Sequence, residues 1–295
     1  MKNSPYKHVI VIINPASGQD EPILNTLNNV FRKYQVDWDV NITKKFGDAT
    51  KFARQAAESG ADLVAGYGGD GTQMEIASGL KGSNTPMAIL PGGTGNAMAF
   101  ALHIPRDLEQ AVELICQSSH LRKIDLGQIG DRYFMLRVYT GPEKDQVASR
   151  EMKDKYGLLA YPMASMQIMR SMKVLPHTIT IDGETMEAEA FICLIINTGV
   201  PGGVKFPDHP DIDPGDGLLD LIMLNKTLKS FREFASYRLD VGKAKAHVQH
   251  WRGREITVQI DPSQTVWIDG EEHGKTPFTA KVVPSAIQIV APKPG

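Results

Sequence analysis

The stretch Leu63-Val64-Ala65-Gly66-Tyr67-Gly68-Gly69-Asp70-Gly71-Thr72 places a short apolar run directly before a loop that is rich in glycine. Four of the seven residues from 66 to 72 are glycine, and the pattern predicts a strand before the loop and a helix after it. Glycine allows the backbone to approach a ligand closely, and the N-terminus of the following helix directs N–H groups and its dipole at an anion. The stretch therefore predicts an anion-binding loop.

Two further loops occupy the same position after other short apolar strands. Residues 14–18 (NPASG) follow Val9–Ile13, and residues 91–96 (PGGTGN) follow Met87–Leu90. The carboxyl ends of parallel strands meet at one edge of a sheet, where open α/β folds bind ligands. A tight turn would explain each loop alone, whereas three loops at one edge favour a binding site.

The first part of the chain alternates between strand and helix patterns. Apolar residues recur at helical spacing over Ile23–Tyr34, and Asp48 begins a second helical pattern that Gly60 ends. This alternation predicts an α/β domain with a mostly parallel sheet over residues 1–125.

After Asp125 the pattern changes to strands, several of which alternate apolar and polar residues as half-buried antiparallel strands do. We therefore expect a mostly β second domain over residues 126–295, interrupted by one helix at Leu158–Met172. The predicted strands are Tyr133–Val138, Thr178–Ile181, Glu189–Ile196, Leu219–Leu224, Ile256–Ile260, Thr265–Ile268 and Ile287–Val290.

Charge and hydrophobicity argue against two classes of protein. The chain of 295 residues has 32 Lys and Arg against 34 Asp and Glu, a formal net charge of −2. Nucleic-acid binding needs a basic face, so we expect no nucleic-acid partner. The longest apolar run, Ala190–Ile196, is far shorter than the ~20 residues that span a bilayer. These features predict a cytoplasmic protein.

Residues 66–71 match G-x-G-x-x-G, the phosphate-binding pattern of dinucleotide enzymes. That pattern also requires an acidic residue about 20 positions later, which holds the ribose. No acidic residue lies between Glu75 and Asp107, and the chain has no G-x-x-x-x-G-K-[ST] sequence. A dehydrogenase and a P-loop protein are therefore disfavoured.

The glycine loop Gly68–Thr72, followed by Glu75 and Gly79-Leu80, resembles the hallmark of the diacylglycerol kinase catalytic-domain family, which includes soluble bacterial lipid kinases and sphingosine kinases. The resemblance extends over nearly the whole chain. It implies a three-layer α/β nucleotide-binding domain, a C-terminal, mostly antiparallel β-sandwich, and an active site in the cleft between them. The other matching motifs are Asn14-Pro15-x-Ser17-Gly18, Pro91-x-Gly93-Thr94-Gly95-Asn96, Ile104–Asp107, Asp125–Gly127, Gly202-Gly203-x-Lys205, Asp216–Asp220 and Asp269–Glu271.

The resemblance implies that the first domain binds ATP. Asp70 is the only charged residue of its loop, and an anion beside triphosphate oxygens requires a cation between them. Asp70 is therefore expected to organise Mg²⁺, and its alternative role is that of a helix cap or turn residue. Asp125 is implied as a second member of this acidic network. The implied nucleotide contacts are Asn14, Thr43, Gly68, Gly69, Asp70, Gly71, Thr72 and Thr94.

The resemblance also implies two functions in the second domain. A magnesium site is expected from the side chains of Asp213 and Asp216 and the carbonyl of Leu218, although a solvated acidic turn would give the same sequence. Asp269 is implied as the general base that takes the proton from the lipid hydroxyl. Its Asp-Gly-Glu sequence is also typical of a hairpin turn, so this alternative stays open.

Several residues depart from the family pattern, among them Gln19, Ala97 and Phe100. Gln19 stands where a basic residue often follows Ser-Gly. Ala97 and Phe100 stand where soluble bacterial lipid kinases usually have Asp and Arg, and an alanine after Asn96 resembles sphingosine kinases instead. The sequence therefore leaves the lipid acceptor open.

We expect an ATP-dependent lipid kinase that uses Mg²⁺ and phosphorylates a hydroxyl of diacylglycerol, phosphatidylglycerol or a sphingoid-like lipid. A non-catalytic nucleotide- or lipid-binding protein and an NAD kinase-like enzyme for a soluble substrate are the alternatives. The expected partners are the lipid substrate, a membrane surface that the protein contacts transiently, and a second copy in a homodimer.

Overall fold

The structure is a computed structural model that describes residues 3–17, 21–140, 173–198, 212–224 and 248–293. The helix predicted at Leu158–Met172 and the motif around Lys205 lie outside these residues. None of the helices within the described ranges has the length and apolarity needed to cross a membrane.

The N-terminal part is a parallel sheet with helices on both of its faces. Four strands run in the order β2-β1-β3-β4, and each neighbouring pair is parallel. Helices α1 and α5 pack against each other, and α2 packs against α3. The elements are β1 (His8–Ile13), α1 (Ile23–Tyr34), β2 (Asp37–Ile42), α2 (Asp48–Glu58), β3 (Leu63–Gly68), α3 (Asp70–Leu80), β4 (Met87–Pro91), α4 (Ala97–Ala101) and α5 (Leu108–Gln117).

The burial of these elements follows from their sequences. Strand β3 is buried at every position, because helices cover both faces of an internal parallel strand. Strand β2 is mostly exposed, and its DWDVNI sequence is polar at alternate positions, as suits the edge of the sheet. Helix α1 buries the apolar stripe predicted by its helical spacing, and Asp107 caps α5 by accepting the N–H of Gln110 at 2.9 Å.

The second part consists of two antiparallel layers. One layer continues the first sheet in the order β4-β16-β13-β8-β9, with β5 beside β16 and β6. The other layer has the order β12-β11-β10-β7-β14-β15. The elements are β5 (Leu121–Ile129), β6 (Arg132–Phe134), β7 (Arg137–Thr140), β8 (Leu175–Ile181), β9 (Glu184–Ala190), β10 (Ile192–Ile196), β11 (Leu219–Leu224), β12 (Val248–Gly253), β13 (Glu255–Ile260), β14 (Thr265–Ile268), β15 (Glu271–Lys275) and β16 (Phe278–Val290).

A shared apolar core joins the two layers into a sandwich. Ile179 and Val258 from one layer pack in the same cluster as Ile195, Leu221 and Ile268 from the other. This arrangement confirms the predicted fold class of an α/β domain followed by a mostly antiparallel β domain.

Two predicted strands are each divided in the structure. The predicted strand Glu189–Ile196 is the end of β9 followed by β10, and these lie in different layers on either side of Phe191. The predicted strand Tyr133–Val138 is likewise divided between β6 and β7. For the first of them, the apolar run Ala190–Ile196 gives no sign of the change of sheet, because Ala190 of β9 and Cys193 and Ile195 of β10 are buried in the same core.

Strand β16 links the two parts of the chain. It pairs antiparallel with β13 and with β5. Near its end it pairs in parallel with β4, where Ile289 is opposite Met87. The pairing with β5 is interrupted between Val283 and Ile287. The boundary predicted at residue 125 lies within β5, so β5 and β16 both belong to the junction.

Candidate active site

Three loops meet at the carboxyl edge of the parallel sheet, as predicted. The backbone N–H of Asn14 donates to the Tyr67 carbonyl at 3.0 Å, and that of Gly92 donates to the Gly68 carbonyl at 3.1 Å. A Cβ atom on Gly93 would collide with Gly69 Cα, so the loop at 66–72 and the loop at 91–96 touch through glycine backbones. The predicted residues Gly68 and Gly69 therefore belong to one cluster.

Residues that directly follow β1 and β2 and one residue of α3 converge on this cluster. Asn14 Nδ2 donates to Thr72 Oγ1 at 2.9 Å. The backbone N–H of Thr43 donates to the Ile13 carbonyl at 2.9 Å, and Thr43 is buried beside the end of β1. The structure thus brings Asn14, Thr43 and Thr72 together, whereas Thr94 is exposed on the loop between β4 and α4.

Gly71 lies in the first turn of α3, where backbone N–H groups have no intrahelical acceptor. Apart from the two chain neighbours and the adjoining backbone of α3, no described residue has an atom within 4 Å of the position that a Cβ on Gly71 would take. This open space beside unpaired helix donors suits a phosphate group.

Two polar residues that sequence analysis did not select shape the loops. Gln73 is buried, and its Nε2 donates to the Gly66 carbonyl at 2.8 Å. Asn96 Oδ1 accepts the N–H of Gly93 at 2.9 Å, and its Nδ2 donates to the Gly93 carbonyl at 2.6 Å. Asn96 belongs to a motif identified from the sequence, but no pattern in the sequence indicates that Gln73 turns inward.

Asp70 connects two of the loops. Its Oδ1 accepts the N–H of Met98 at 3.3 Å, and a Cβ on Gly95 would lie 3.0 Å from its Oδ2. The carboxylate therefore faces the loop between β4 and α4 and the first turn of α4. Its role toward Mg²⁺ stays a prediction.

Glu75 fixes α3 against the start of α2. Its carboxylate accepts the N–H groups of Gly47 at 2.8 Å and Ala49 at 3.2 Å. Burial raises the pKa of the Glu75 carboxyl, and these two hydrogen bonds oppose that rise. The residue is a structural link within the nucleotide domain rather than a charge in the open space.

Asp269 follows β14, and its backbone has the left-handed φ of 47° that is typical of a turn. Both carboxylate oxygens accept backbone N–H groups: Oδ2 from Met135 at 2.9 Å, and Oδ1 from Leu136 at 3.1 Å and Arg137 at 2.8 Å. Burial raises the pKa of the Asp269 carboxyl, while these three N–H groups act in the opposite direction. Its geometry is thus that of a turn residue with a firmly oriented carboxylate.

The position of Asp269 follows from sheet topology. Strands β14 and β7 are antiparallel neighbours, so the residue after β14 meets the segment that enters β7. Met135 and Leu136 of that segment pack in the core of the N-terminal domain. Asp269 therefore lies at the junction of the two parts of the fold.

Asp125 and Asn197 fasten the same junction. Asp125 is buried, its Oδ1 accepts the N–H of Ser285 and its Oδ2 that of Gly217, each at 2.6 Å. Asn197 Nδ2 donates to the carbonyls of Asp125 and Met135, each at 2.9 Å. Backbone N–H groups therefore bind both oxygens of Asp125 and tie it to the junction, and its part in a magnesium network stays a prediction.

The predicted magnesium residues lie in the turn before β11. Asp213 Oδ1 is 2.7 Å from Arg122 Nη2, and Asp216 Oδ2 accepts a hydrogen bond from Arg252 Nη2. The described residues contain no group of three or more His, Cys, Asp or Glu side chains that could hold a metal ion. Since an arginine already faces each carboxylate, Asp213, Asp216 and the Leu218 carbonyl fit a divalent cation poorly.

Two family models together match most of the chain. The model of the diacylglycerol kinase catalytic domain matches residues 8–129, and the model of the YegS C-terminal NAD kinase beta sandwich-like domain matches residues 137–291. The matched ranges correspond to the parallel-sheet part and to most of the sandwich described above.

Individual proteins give the same result. A diacylglycerol kinase of Bacillus subtilis is 30% identical over 297 residues, which cover 97% of this chain and 97% of that protein. An uncharacterized protein of Synechocystis is 30% identical over 86% of this chain, which spans 61% of that protein's length. A crystal structure of a diacylglycerol kinase from Bacillus anthracis covers 98% of this chain and 99% of its own, with a TM-score of 0.77 and 26% identity. The chain therefore belongs to the diacylglycerol kinase family of lipid kinases.

Proposed function

We propose that this protein transfers the γ-phosphoryl group of ATP to a hydroxyl of a membrane lipid, with diacylglycerol as the acceptor that the names of its relatives favour. The observation that carries the proposal is the open N-terminus of α3 at Gly71, bordered by two glycine loops that touch each other. Unpaired helix N–H groups beside a glycine-lined space are suited to the phosphates of a nucleotide.

Phosphoryl transfer depends mainly on positioning and charge neutralisation. The lipid oxygen forms a bond to the γ-phosphorus, the bond from that phosphorus to the β–γ bridging oxygen breaks, and ADP leaves. Mg²⁺ bound to the ATP phosphates would neutralise charge that develops on them, and Asp70 is the carboxylate at the loop that could hold it.

We assign to Asp269 the acceptance of the hydroxyl proton. Its three backbone hydrogen bonds hold both oxygens in place, and a proton acceptor must be oriented in this way. A carboxyl whose pKa lies above its ordinary value is also a better base than an exposed carboxylate.

The acceptor class can be tested by incubating the protein with γ-labelled ATP, Mg²⁺ and mixed vesicles that contain diacylglycerol, phosphatidylglycerol or sphingosine. We expect label in phosphatidic acid. Label in another lipid would support the lipid kinase activity but identify a different acceptor. A labelled soluble product would favour the NAD kinase-like alternative, and ATP binding without turnover would favour a binding protein.

A lipid kinase must also reach its substrate at a membrane, and the net charge of −2 gives little attraction to anionic lipid. Phe46 lies in the loop between β2 and α2, at the same sheet edge as the glycine loops, and is 77% exposed. Asp48 Oδ2 accepts the N–H groups of Lys44 at 2.9 Å and Lys45 at 3.1 Å, which fixes the conformation of that loop. Phe100 in α4 is 60% exposed. We propose that these aromatic rings contact the membrane.

The substitution Phe46→Ser is expected to weaken binding to diacylglycerol-containing vesicles about tenfold, since it removes an aromatic side chain worth roughly 1.5–3 kcal/mol on full burial. Vesicle sedimentation measures this change. Val40→Thr, at an exposed apolar position within β2, is the control and should bind like the wild type. Turnover of a water-soluble short-chain diacylglycerol should stay unchanged, and equal vesicle binding by both variants would contradict the membrane contact.

A further inference from the structure

The acidic turn, residues 213–218, and the neighbouring Asp220 contact arginines of the same chain. Arg122 Nη2 lies 2.7 Å from Asp213 Oδ1. Arg252 Nη2 donates to Asp216 Oδ2, and Arg252 Nε lies 3.2 Å from Asp220 Oδ1. One guanidinium thus faces two carboxylates.

Sheet register explains why Arg252 reaches both. Strands β11 and β12 are antiparallel neighbours, and Asp220 is directly opposite Arg252 in their pairing. Side chains at directly opposite positions share one face of a sheet and contact each other. Asp216 lies in the turn that leads into β11, so it approaches the same guanidinium from the side.

The environment makes these contacts stronger than ordinary surface pairs. Asp220 is 1% exposed, and the side chains of Arg252 and Asp216 are 29% and 26% exposed. Asp216 Oδ1 also accepts the N–H of Leu218 at 3.0 Å. Both oxygens of Asp216 therefore already have partners within the chain.

A divalent cation would do two things at such a turn: neutralise the carboxylates and order the loop. A guanidinium can do both, because its planar fork of N–H donors matches carboxylate oxygens. Mg²⁺ at Asp216 would need an octahedral set of oxygens and would lie close to the positive charge of Arg252.

We propose that Arg252 at Asp216, together with Arg122 at Asp213, takes the place of a divalent cation, so that the acidic turn of this chain is ordered without metal. This inference concerns the stability of the sandwich and does not rest on the proposed function. Its test uses unfolding rather than activity, so its failure would leave the kinase assignment untouched.

The first measurement is thermal unfolding of the wild-type protein without nucleotide, in a chelator and in millimolar Mg²⁺ at matched ionic strength. We expect the two curves to superimpose. A rise in the wild-type Tm with Mg²⁺ that Asp216→Asn abolishes would place a cation at this turn and overturn the proposal.

The second measurement uses Arg252→Gln, which keeps polar atoms but removes the positive charge that faces Asp216 and Asp220. Asp220 keeps its other partner, because His250 Nε2 lies 2.6 Å from its Oδ1. We expect its Tm in chelator to fall by about 5 °C, in line with the loss of one partner from a largely buried ion pair. Mg²⁺ should restore much of that loss, because it can now enter the position that the guanidinium left.

Two further variants keep the test decisive. Lys281→Gln removes the cation of an exposed pair with Glu255 in the same sandwich, and it should change the Tm little. If Arg252→Gln does not fold, Arg122→Gln tests the more exposed pair with Asp213 in the same way. The proposal would be overturned if the arginine variants had the Tm of the wild type in chelator, or if Mg²⁺ did not restore the Tm that they lose.

Discussion

Replacing Asp269 by asparagine is expected to lower kcat for lipid phosphorylation about 10²–10⁴-fold, the range that a positioned general base contributes. A lipid hydroxyl is a poor nucleophile while it holds its proton, and an asparagine amide cannot accept that proton at neutral pH. Single-turnover measurement with saturating ATP isolates this step from product release.

The same substitution is also expected to cost stability. Asp269 accepts three backbone N–H groups through two oxygens. Asparagine offers one oxygen, so with that oxygen toward Leu136 and Arg137 its NH₂ group would face the N–H of Met135. A buried donor left without an acceptor costs about 1–3 kcal/mol, so we expect a lower Tm as well.

The activity loss must therefore be separated from the stability loss. Rates are compared at a temperature where both proteins are folded, and unchanged ATP affinity shows that the nucleotide domain is intact. Glu271→Gln is the matched control, because Glu271 lies two residues further on, is exposed and pairs with Arg132. A rate for Asp269→Asn within about threefold of the wild type, well below the general-base range, would remove Asp269 from the mechanism.

The pH profile gives a second readout. The base must be ionised, and burial raises the pKa of the Asp269 carboxyl, so kcat/KM should fall on the acid side at a pH above the ordinary range of aspartate. That limb should be absent from the residual activity of Asp269→Asn. The pH dependence of stability is the reverse of that of an aspartate with a lowered pKa. Because the folded pKa of Asp269 is raised, its contribution to the free energy of unfolding decreases as pH rises from the unfolded pKa through the folded pKa.

The fold was predictable wherever burial leaves a periodic pattern in the sequence. Strands β1 and β3 are covered on both faces, and their continuous apolar runs revealed them. Strand β15 has the sequence EEHGK and no apolar residue, because it is an edge strand, and it was missed. The return of β16 to the parallel sheet depends on pairing between distant residues, which no local pattern records.

The candidate site divides in a similar way. The glycine loops were predictable because each loop follows a strand directly and the strands share an edge. The partners of Asp269 are more than 130 residues away in sequence, so the motif alone could not distinguish a turn from an oriented carboxylate. The pairing of Arg252 with the acidic turn arises from the register of β11 and β12 and was likewise invisible.

Replacing Gly71 by valine is expected to reduce ATP affinity at least tenfold without destabilising the protein. Residue 71 has an ordinary helical backbone, and a Cβ there meets no described atom within 4 Å outside its two chain neighbours and the backbone of α3. Side chains in a helix tilt toward its N-terminus, so the added methyl groups would enter the space where we place the phosphates. The smaller variant Gly71→Ala should lose less affinity and keep its Tm or gain slightly, because alanine favours a helix by up to about 1 kcal/mol over glycine.

The matched control is Gly93→Ala, at which the added Cβ would collide with the backbone of Gly69. That variant should lose ATP affinity and stability together, because the two loops can no longer touch. Calorimetric titration with ATP and thermal unfolding of the three variants therefore distinguish a blocked phosphate site from a damaged loop. Wild-type ATP affinity in folded Gly71→Val would mean that the stretch from 66 to 72 only connects β3 to α3, and the nucleotide would have to bind elsewhere.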